Sequence, residues 1–391
     1  MLVMSSSLTA IASATPSSTL ASAMPSVALV GSGWMFSSIV FSTYYTTLFL
    51  KHDKGSSSHK KNDFETRQLQ IANGCSPGSS PGGKSKKAMI AKTKNNAITK
   101  AINHILQSMS RPQLLTLYRF SGSLLMGIFL HPQVMQFGKR FTHTLHYSKE
   151  FSLAAIFLFV ANYCNSIALD RIGISLTYTS KCLIPLITVL LTLVVDGVSA
   201  LPSNLALLML IPIACGVALA SWNSPTFEKK GFLAAMASST AQAALNVSSK
   251  RALIKTGISG LEAQRSMASV ALSIAICMSV QSCLKARRKQ SNANAKDSDS
   301  TKYEGQGQDL PPFGLSLAAT AAYHFEYVLA FIFLNMVQPI SYGTCDAIRR
   351  LGIIIAGRAF FGGAPFSMLN YSGIGCALLG AMGYSIASAS Q

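Results

Sequence analysis

The chain has 391 residues, of which 49% are hydrophobic and only 12% are charged, and its formal net charge is +19. Soluble proteins are about one quarter charged, so this composition excludes an ordinary soluble domain. A basic excess can indicate nucleic-acid binding, but here the basic residues are not interleaved with aromatic residues and form no nucleic-acid module. Basic loops beside anionic lipid explain the charge better, and we predict an all-α, polytopic membrane protein.

Apolar segments recur along the chain at lengths that suit a lipid bilayer, which a helix of about 20 residues can cross. We predict about ten transmembrane helices on this basis. In chain order, they are residues 27–50, 113–131, 151–169, 172–195, 203–222, 231–249, 264–284, 313–336, 339–361 and 366–388. They are rich in Gly, Ala, Ser and Thr, which permits close packing of membrane helices.

The remaining chain is polar. Residues 1–26 form a predicted N-terminal tail. Its lack of acidic residues suits a plastid transit peptide, but its lack of arginine does not. Residues 51–110 carry eleven Lys or Arg against three acids, and residues 285–312 carry six against four. Both are predicted to be mostly disordered linkers. Within the first, residues 97–109 place apolar side chains on one helical face, which indicates a helix along the membrane surface.

A weak internal repeat relates the two halves of the chain. A shift of 164 residues brings them into partial register. The matched pairs include Tyr178 with Tyr342, and Gly216 with Gly380. Transporter folds built from duplicated units show such symmetry and bind their substrate where the repeats meet. We therefore expect two inverted five-helix repeats, at residues 27–222 and 231–388.

Several charged residues interrupt the predicted membrane helices. The cations are Arg119, Lys181, Arg349 and Arg350, and the acids at comparable depth are Glu326 and Asp346. A cation at mid-helix costs roughly 2.5–3.5 kcal/mol to insert, so such residues usually face a polar cavity. Surplus positive charge in a low dielectric favours a multivalent anion, and the arginine fork and the lysine ammonium both suit phosphate. The predicted substrate is therefore a phosphorylated metabolite.

Neighbouring residues extend this site and also offer alternatives to it. Tyr178 and Tyr342 precede Lys181 and Arg349 by one and two helical turns, so either could direct a ring or hydroxyl at the same cavity. Alternatively, Asp346 could neutralise one arginine within its own helix, and Glu326 could pair with Lys181. Arg119, close to a predicted helix end, could instead extend to the membrane surface.

Three stretches of sequence carry a family resemblance. They are "NSIALDRIGISLTYTSKCLIPLI" (165–187), "GFLAAMASSTAQAALNVSSKRAL" (231–253) and "YHFEYVLAFIFLNMVQPISYGTCDAIRR" (323–350). Together they resemble the triose-phosphate/nucleotide-sugar translocator family of the drug/metabolite transporter superfamily. The resemblance implies ten helices in two inverted halves and exchange of one phosphorylated solute for another. The family's phosphate-binding positions correspond to Lys181 and the pair Arg349 and Arg350, and its Tyr-His element corresponds to Tyr323 and His324.

Several positions depart from the family pattern. Arg349 replaces a lysine, Glu326 replaces a tyrosine, Leu245 replaces an arginine of plastid members, and Tyr178, Tyr342 and Asn162 replace histidines. These departures favour a divergent relative that carries a nucleotide sugar. The Golgi or endoplasmic reticulum membrane is then the expected location, with the plastid inner envelope as the alternative.

The expected function is antiport of a nucleotide sugar or sugar phosphate against a nucleoside monophosphate or inorganic phosphate, without cofactor or metal. Bound phosphate would neutralise unpaired cations, so that only the loaded site changes sides and exchange is strict. A membrane enzyme is disfavoured because only one of seven histidines, His324, lies in an apolar segment. A non-transporting scaffold or regulator, or an exporter of the same superfamily, remains as an alternative, and the oligomeric state is left open.

Overall fold

Helices account for all the regular structure in the described part of the chain. The structure is a computed structural model that describes residues 20–51, 106–129, 137–197, 202–222, 227–296, 310–336, 339–362 and 367–387. The helices are α1 (Leu20–Phe36), α2 (Thr43–Lys51), α3 (Arg111–Phe129), α4 (Phe137–Ser148), α5 (Ser152–Ser180), α6 (Ile184–Asp196), α7 (Asn204–Ser221), α8 (Lys229–Thr256), α9 (Gly260–Lys296), α10 (Phe313–Met336), α11 (Pro339–Phe361) and α12 (Met368–Ala387). The prediction of an all-α, polytopic membrane protein is confirmed.

Within the described residues, three helical stretches are long and apolar enough to cross a membrane by length and composition alone: Ser152–Val194, Asn204–Ser221 and Gly260–Arg288. The first has 43 residues, about twice the length that one crossing needs. It is interrupted at Gly173, whose φ of 74° lies in the left-handed region that glycine adopts without strain. The sequence pattern predicted a division between the third and fourth segments at residues 170–171, and the break at Gly173 lies slightly later in the chain.

A second interruption follows at the end of α5, where Lys181–Leu183 form a single 3₁₀ turn. α6 starts directly after this 3₁₀ turn, and Pro185 lies in its first helical turn. Because proline has no N–H, it cannot donate to the Lys181 carbonyl four residues earlier. The amide of Ile184 donates to that oxygen instead, and the oxygen keeps a second lone pair for another donor.

The first helix is also irregular. A π-helical turn, Ser37–Ser42, joins α1 to α2 and makes them one continuous element. The hydroxyl of Thr43 donates to the Ser38 carbonyl at 2.9 Å inside this turn. Such π-helical insertions are rare and often occur at functional sites.

Two predicted boundaries need correction. α9 continues to Lys296, so the start of the predicted linker at 285–312 is helical. Its residues up to that point include neither Gly nor Pro, and a helix therefore extends without a break. α1 begins at Leu20, within the predicted tail. Most of the predicted surface helix at 97–109 and of the linker at 51–110 lies outside the described residues.

Helices α7 and α12 cross closely enough to bring their backbones into contact. A Cβ added at Gly216 would lie 2.4 Å from the backbone nitrogen of Ala377, and one added at Gly380 would lie 2.9 Å from that of Ile213. The 164-residue shift converts the first of these pairs into the second. Reciprocal contacts of this kind are typical of two elements related by a two-fold axis. The limits of the two five-helix halves stay a prediction.

This close crossing predicts that alanine substitutions at two glycines of these helices differ sharply in their effect on stability. The substitution Gly216→Ala places a methyl group against backbone that has no room to move, so we expect a loss of about 1–3 kcal/mol. Thermal unfolding of the purified protein in detergent measures the change. Gly375→Ala is the matched control, because a Cβ added there meets no atom within 4 Å beyond its chain neighbours and its own helix backbone. Equal stability of the two variants would contradict the close crossing.

Candidate functional site

Arg349 of α11 binds two carboxylates from different helices. Its Nε and Nη2 donate to Asp346 Oδ1 at 3.0 and 2.6 Å, and its Nη1 donates to Glu326 Oε1 of α10 at 2.8 Å. The Ser38 hydroxyl of the π-helical turn accepts from the same Nη1 at 2.6 Å and donates to Glu326 Oε1 at 2.7 Å. The guanidinium carbon lies 5.0 Å from the Trp34 ring centroid. Three elements therefore fix this arginine.

Arg350 connects α11 to the break after α5. Its Nη2 donates to Asp346 Oδ2, and its Nη1 donates to the Lys181 backbone carbonyl at 2.6 Å. That carbonyl is the one that Pro185 leaves without its usual helical donor. The arginine is buried, and it links two stretches of the chain that are 169 residues apart in sequence.

Lys181 lies in the 3₁₀ turn, next to Arg350. Its ammonium nitrogen is 5.0 Å from the centroid of the Tyr178 ring, one turn earlier on α5. Such a cation–π contact leaves the three N–H donors of an ammonium group available to an anion. Among the described residues, no carboxylate lies within ion-pair distance of Lys181. Among the charged groups described here, the Lys181 ammonium therefore has the most hydrogen-bond donors available to an anion.

The cluster of Lys181, Arg349, Arg350, Asp346 and Glu326, here called the cation cluster, contains three cations and two carboxylates. The sequence predicted a surplus of four cations, Arg119 included, over two acids; within the cation cluster itself the surplus is one positive charge. The sequence led us to expect that Asp346 neutralises one arginine, but in the structure it pairs with both Arg349 and Arg350. The alternative that Glu326 pairs with Lys181 is wrong, because its carboxylate binds Arg349 across α10 and α11.

Arg119 of α3 lies in the interior. Its side chain is only 4% exposed, so the alternative in which it extends to the membrane surface is wrong. Its Nη2 donates to the Thr46 hydroxyl of α2 at 2.6 Å, and its guanidinium carbon lies 5.1 Å from the Tyr323 ring centroid on α10. Two helices therefore hold a fourth cation through a hydroxyl group and an aromatic ring, and no carboxylate of the described residues pairs with it.

His324 is buried beside Tyr323 on α10, where its Nδ1 lies 3.3 Å from the Ser123 hydroxyl of α3. Close to it is a cation that the sequence analysis missed. Arg265 of α9 is 8% exposed, and a Cβ added at Gly127 would lie 3.3 Å from Arg265 Cγ and 3.8 Å from His324 Cε1. Its position at the start of a predicted membrane helix gave no reason to separate it from ordinary interfacial arginines.

Five predicted site residues are not joined to the cation cluster by the described contacts: Arg119, Tyr323 and His324, whose contacts are given above, and Asn162 and Tyr342. The Asn162 amide donates to the Leu158 carbonyl at 2.9 Å, one turn earlier in its own helix. Tyr342 lies in α11, but its side chain is outside the described part of the structure. Ser38 and Trp34 were missed for a different reason, because serine and tryptophan in an apolar helix usually have packing roles and carry no signal of their own.

Comparison with known proteins identifies the family. Residues 91–385 match the Triose-phosphate Transporter family. Phosphoenolpyruvate/phosphate translocator 2, chloroplastic, of Arabidopsis thaliana is 27% identical over 293 residues, which cover 73% of this chain and 72% of that protein.

Two further relatives match over a shorter length. Phosphoenolpyruvate/phosphate translocator 1, chloroplastic, of Oryza sativa subsp. japonica is 29% identical over 58% of this chain. Triose phosphate/phosphate translocator, non-green plastid, chloroplastic, of Brassica oleracea var. botrytis is 28% identical over 58% of this chain. These matches span about half the length of each relative, at 53% and 54%. Because the family match covers most of this chain, the chain belongs to the Triose-phosphate Transporter family.

Proposed function

We propose that the protein exchanges a small organic phosphate for inorganic phosphate by alternating access between the two faces of a membrane. The observation that carries this proposal is the cation cluster, in which Arg350 donates to the Lys181 carbonyl at 2.6 Å. This bond brings an ammonium and two guanidinium groups together inside a helical membrane protein. Ionisable residues inside a membrane usually mark a functional site, and substrate pathways are one common kind.

The chemistry of the cation cluster suits a phosphate group. A phosphate monoester carries about −1.5 to −2 charges at pH 7 and three acceptor oxygens. Lys181 offers donors without a competing carboxylate in the described structure, and the arginines offer planar forks that match phosphate oxygens. The net positive charge of the cluster makes anion entry favourable in a low dielectric. A cationic substrate would meet repulsion there, which argues against an exporter of cations or basic drugs.

The similar proteins support small organic phosphates over nucleotide sugars. Of the three relatives described above, two are named as phosphoenolpyruvate/phosphate translocators and one as a triose phosphate/phosphate translocator. A fourth, at 22% identity, is named as a glucose-6-phosphate/phosphate translocator. We therefore prefer a sugar phosphate or three-carbon phosphate to the nucleotide sugar that the sequence departures favoured. Because these names also read "chloroplastic", we place the protein in the plastid envelope, the alternative location, rather than in the Golgi or endoplasmic reticulum.

Alternating access would act through the interruptions that flank the cation cluster. The 3₁₀ turn at Lys181–Leu183 and the break at Gly173 divide the α5–α6 element, while Arg349 and Arg350 lie on the continuous helix α11. Phosphate bound between the Lys181 ammonium and the arginines would hold both sides together as the halves move. Discontinuous helices at a central site are the usual arrangement in secondary transporters.

The substitution Lys181→Ala tests the role of the ammonium. A hydrogen bond to a charged group contributes about 1.5–3 kcal/mol, so we expect exchange of radiolabelled phosphate in proteoliposomes to fall by about 10- to 100-fold. Lys255→Ala is the matched control, because that lysine is 71% exposed and pairs with Glu150. Exchange by the Lys181→Ala variant at the control rate would refute the site. Exchange by neither the unmodified protein nor the control above protein-free liposomes would instead favour a scaffold or regulator.

Substrate class is tested separately by counter-flow into proteoliposomes that contain unlabelled inorganic phosphate. We expect labelled phosphoenolpyruvate or triose phosphate to accumulate well above protein-free liposomes, because either can present its phosphate to the cation cluster. Labelled uridine diphosphate sugars should remain at background. Accumulation of the nucleotide sugar alone would contradict the preferred class and restore the sequence-based expectation.

A further inference from the structure

The two carboxylates of the cation cluster are attached to the protein in different ways. Asp346 lies three and four residues before Arg349 and Arg350 on the same helix. Its ion pairs are therefore local to α11 and move with it. Glu326 lies on α10 and reaches Arg349 across the space between two helices. Only the second pair has to separate if α10 and α11 shift, or if another anion takes the place of the carboxylate.

Glu326 is held where a substrate anion would be needed. Its Oε1 accepts hydrogen bonds from Arg349 Nη1 at 2.8 Å and from the Ser38 hydroxyl at 2.7 Å. Both side chains of the ion pair are largely buried, at 16% and 17% exposed. In this position the carboxylate supplies Arg349 with the negative charge and acceptor oxygen that a phosphate group would otherwise supply.

This pairing changes the energetics of the empty transporter. Leaving a buried charge without a partner costs several kcal/mol, and that cost is what would prevent an empty cationic site from crossing between its two orientations. Glu326 removes it for Arg349, and Asp346 removes part of it for both arginines. The reorientation of the empty site is then opposed by the charge of Lys181 and no longer by the charges of all three cations, so electrostatics enforces strict exchange less strongly.

We infer that Glu326 is a tethered counter-anion, which replaces the substrate at Arg349 when the site is empty and allows net transport of phosphate compounds in addition to exchange. This inference rests on the proposed function and adds a second mode of transport to it. On substrate entry, the phosphate displaces the carboxylate from Arg349, and Glu326 keeps its bond to Ser38. On release, the carboxylate returns and the empty site changes sides.

The test compares two modes of phosphate movement in the same proteoliposomes. Liposomes containing the full chain are loaded with radiolabelled inorganic phosphate, and efflux is measured into medium without phosphate and into medium with unlabelled phosphate. Valinomycin with equal potassium on both sides prevents a membrane potential from limiting net efflux. For the unmodified protein, we expect net efflux clearly above that of protein-free liposomes, together with faster exchange.

The variants separate the charge of Glu326 from its shape. Glu326→Gln keeps the side-chain volume but removes the negative charge, so we expect it to lower net efflux at least tenfold more than it lowers exchange. Glu326→Asp keeps the charge and should retain net efflux. Glu150→Gln is the control for loss of an acid outside the transmembrane helices. There, the hydrogen bond and charge of Lys255 hold the pKa of the Glu150 carboxyl below its ordinary value, and neither transport mode should change.

A binding measurement gives a second readout that does not require transport. Because Glu326 and phosphate compete for Arg349, detergent-solubilised Glu326→Gln should bind inorganic phosphate about tenfold more tightly than the unmodified protein. A hydrogen bond to a charged group is worth about this factor or more. Thermal unfolding at increasing phosphate concentration measures the apparent affinity, and it also reports whether the variant is folded.

The outcomes distinguish the inference from the function on which it rests. If exchange runs but the unmodified protein shows no net efflux, or if Glu326→Gln and the unmodified protein have the same ratio of net efflux to exchange, the tethered counter-anion is refuted and the antiporter stands. If Glu326→Asp loses net efflux as Glu326→Gln does, the charge is not the cause and the inference also fails. If the unmodified protein exchanges neither phosphate nor an organic phosphate, the proposed function itself is refuted.

Discussion

Asp346 accepts hydrogen bonds from the guanidinium groups of both Arg349 and Arg350, and the candidate site depends on this double ion pair. Two adjacent arginines inside a membrane helix would be prohibitively costly without a partner. Because the carboxylate lies one turn earlier on α11, the pairing forms whatever the neighbouring helices do. Arg350 still has a donor to offer after this pairing, and it binds the Lys181 carbonyl. The local ion pair therefore makes the long-range contact possible.

The other partners of the cluster come from places where helical geometry is interrupted. Pro185 withholds a donor from the Lys181 carbonyl, which becomes the acceptor for Arg350. The π-helical turn brings the Ser38 hydroxyl to Arg349 and Glu326. A regular helix satisfies its backbone groups internally and presents only side chains. The irregular backbone supplies a carbonyl at the first point and carries a side-chain hydroxyl at the second, and both polar groups contact residues that carry charge.

The sequence predicted the fold, and it located the charged residues that the structure brings together, because both depend on signals that are local in the chain. Apolar length located the membrane helices, and a cation at mid-helix is rare enough to mark Lys181 and Arg350. Partner choice was not predictable in this way. Whether Glu326 binds Lys181 or Arg349 depends on how α10 packs against α11, and whether Arg119 is buried depends on Thr46 and Tyr323. Arg265 and Ser38 were missed because their residue types are unremarkable where they occur.

The central claim is that Lys181 and the two arginines form one binding site for a phosphate group between distant parts of the chain. An experimental structure of the protein with bound inorganic phosphate tests it most directly. The account predicts phosphate within hydrogen-bonding distance of the Lys181 ammonium and of at least one arginine, with the Glu326 carboxylate withdrawn from Arg349. Phosphate bound elsewhere, with the ion pair between Arg349 and Glu326 intact and Lys181 facing lipid, would contradict it.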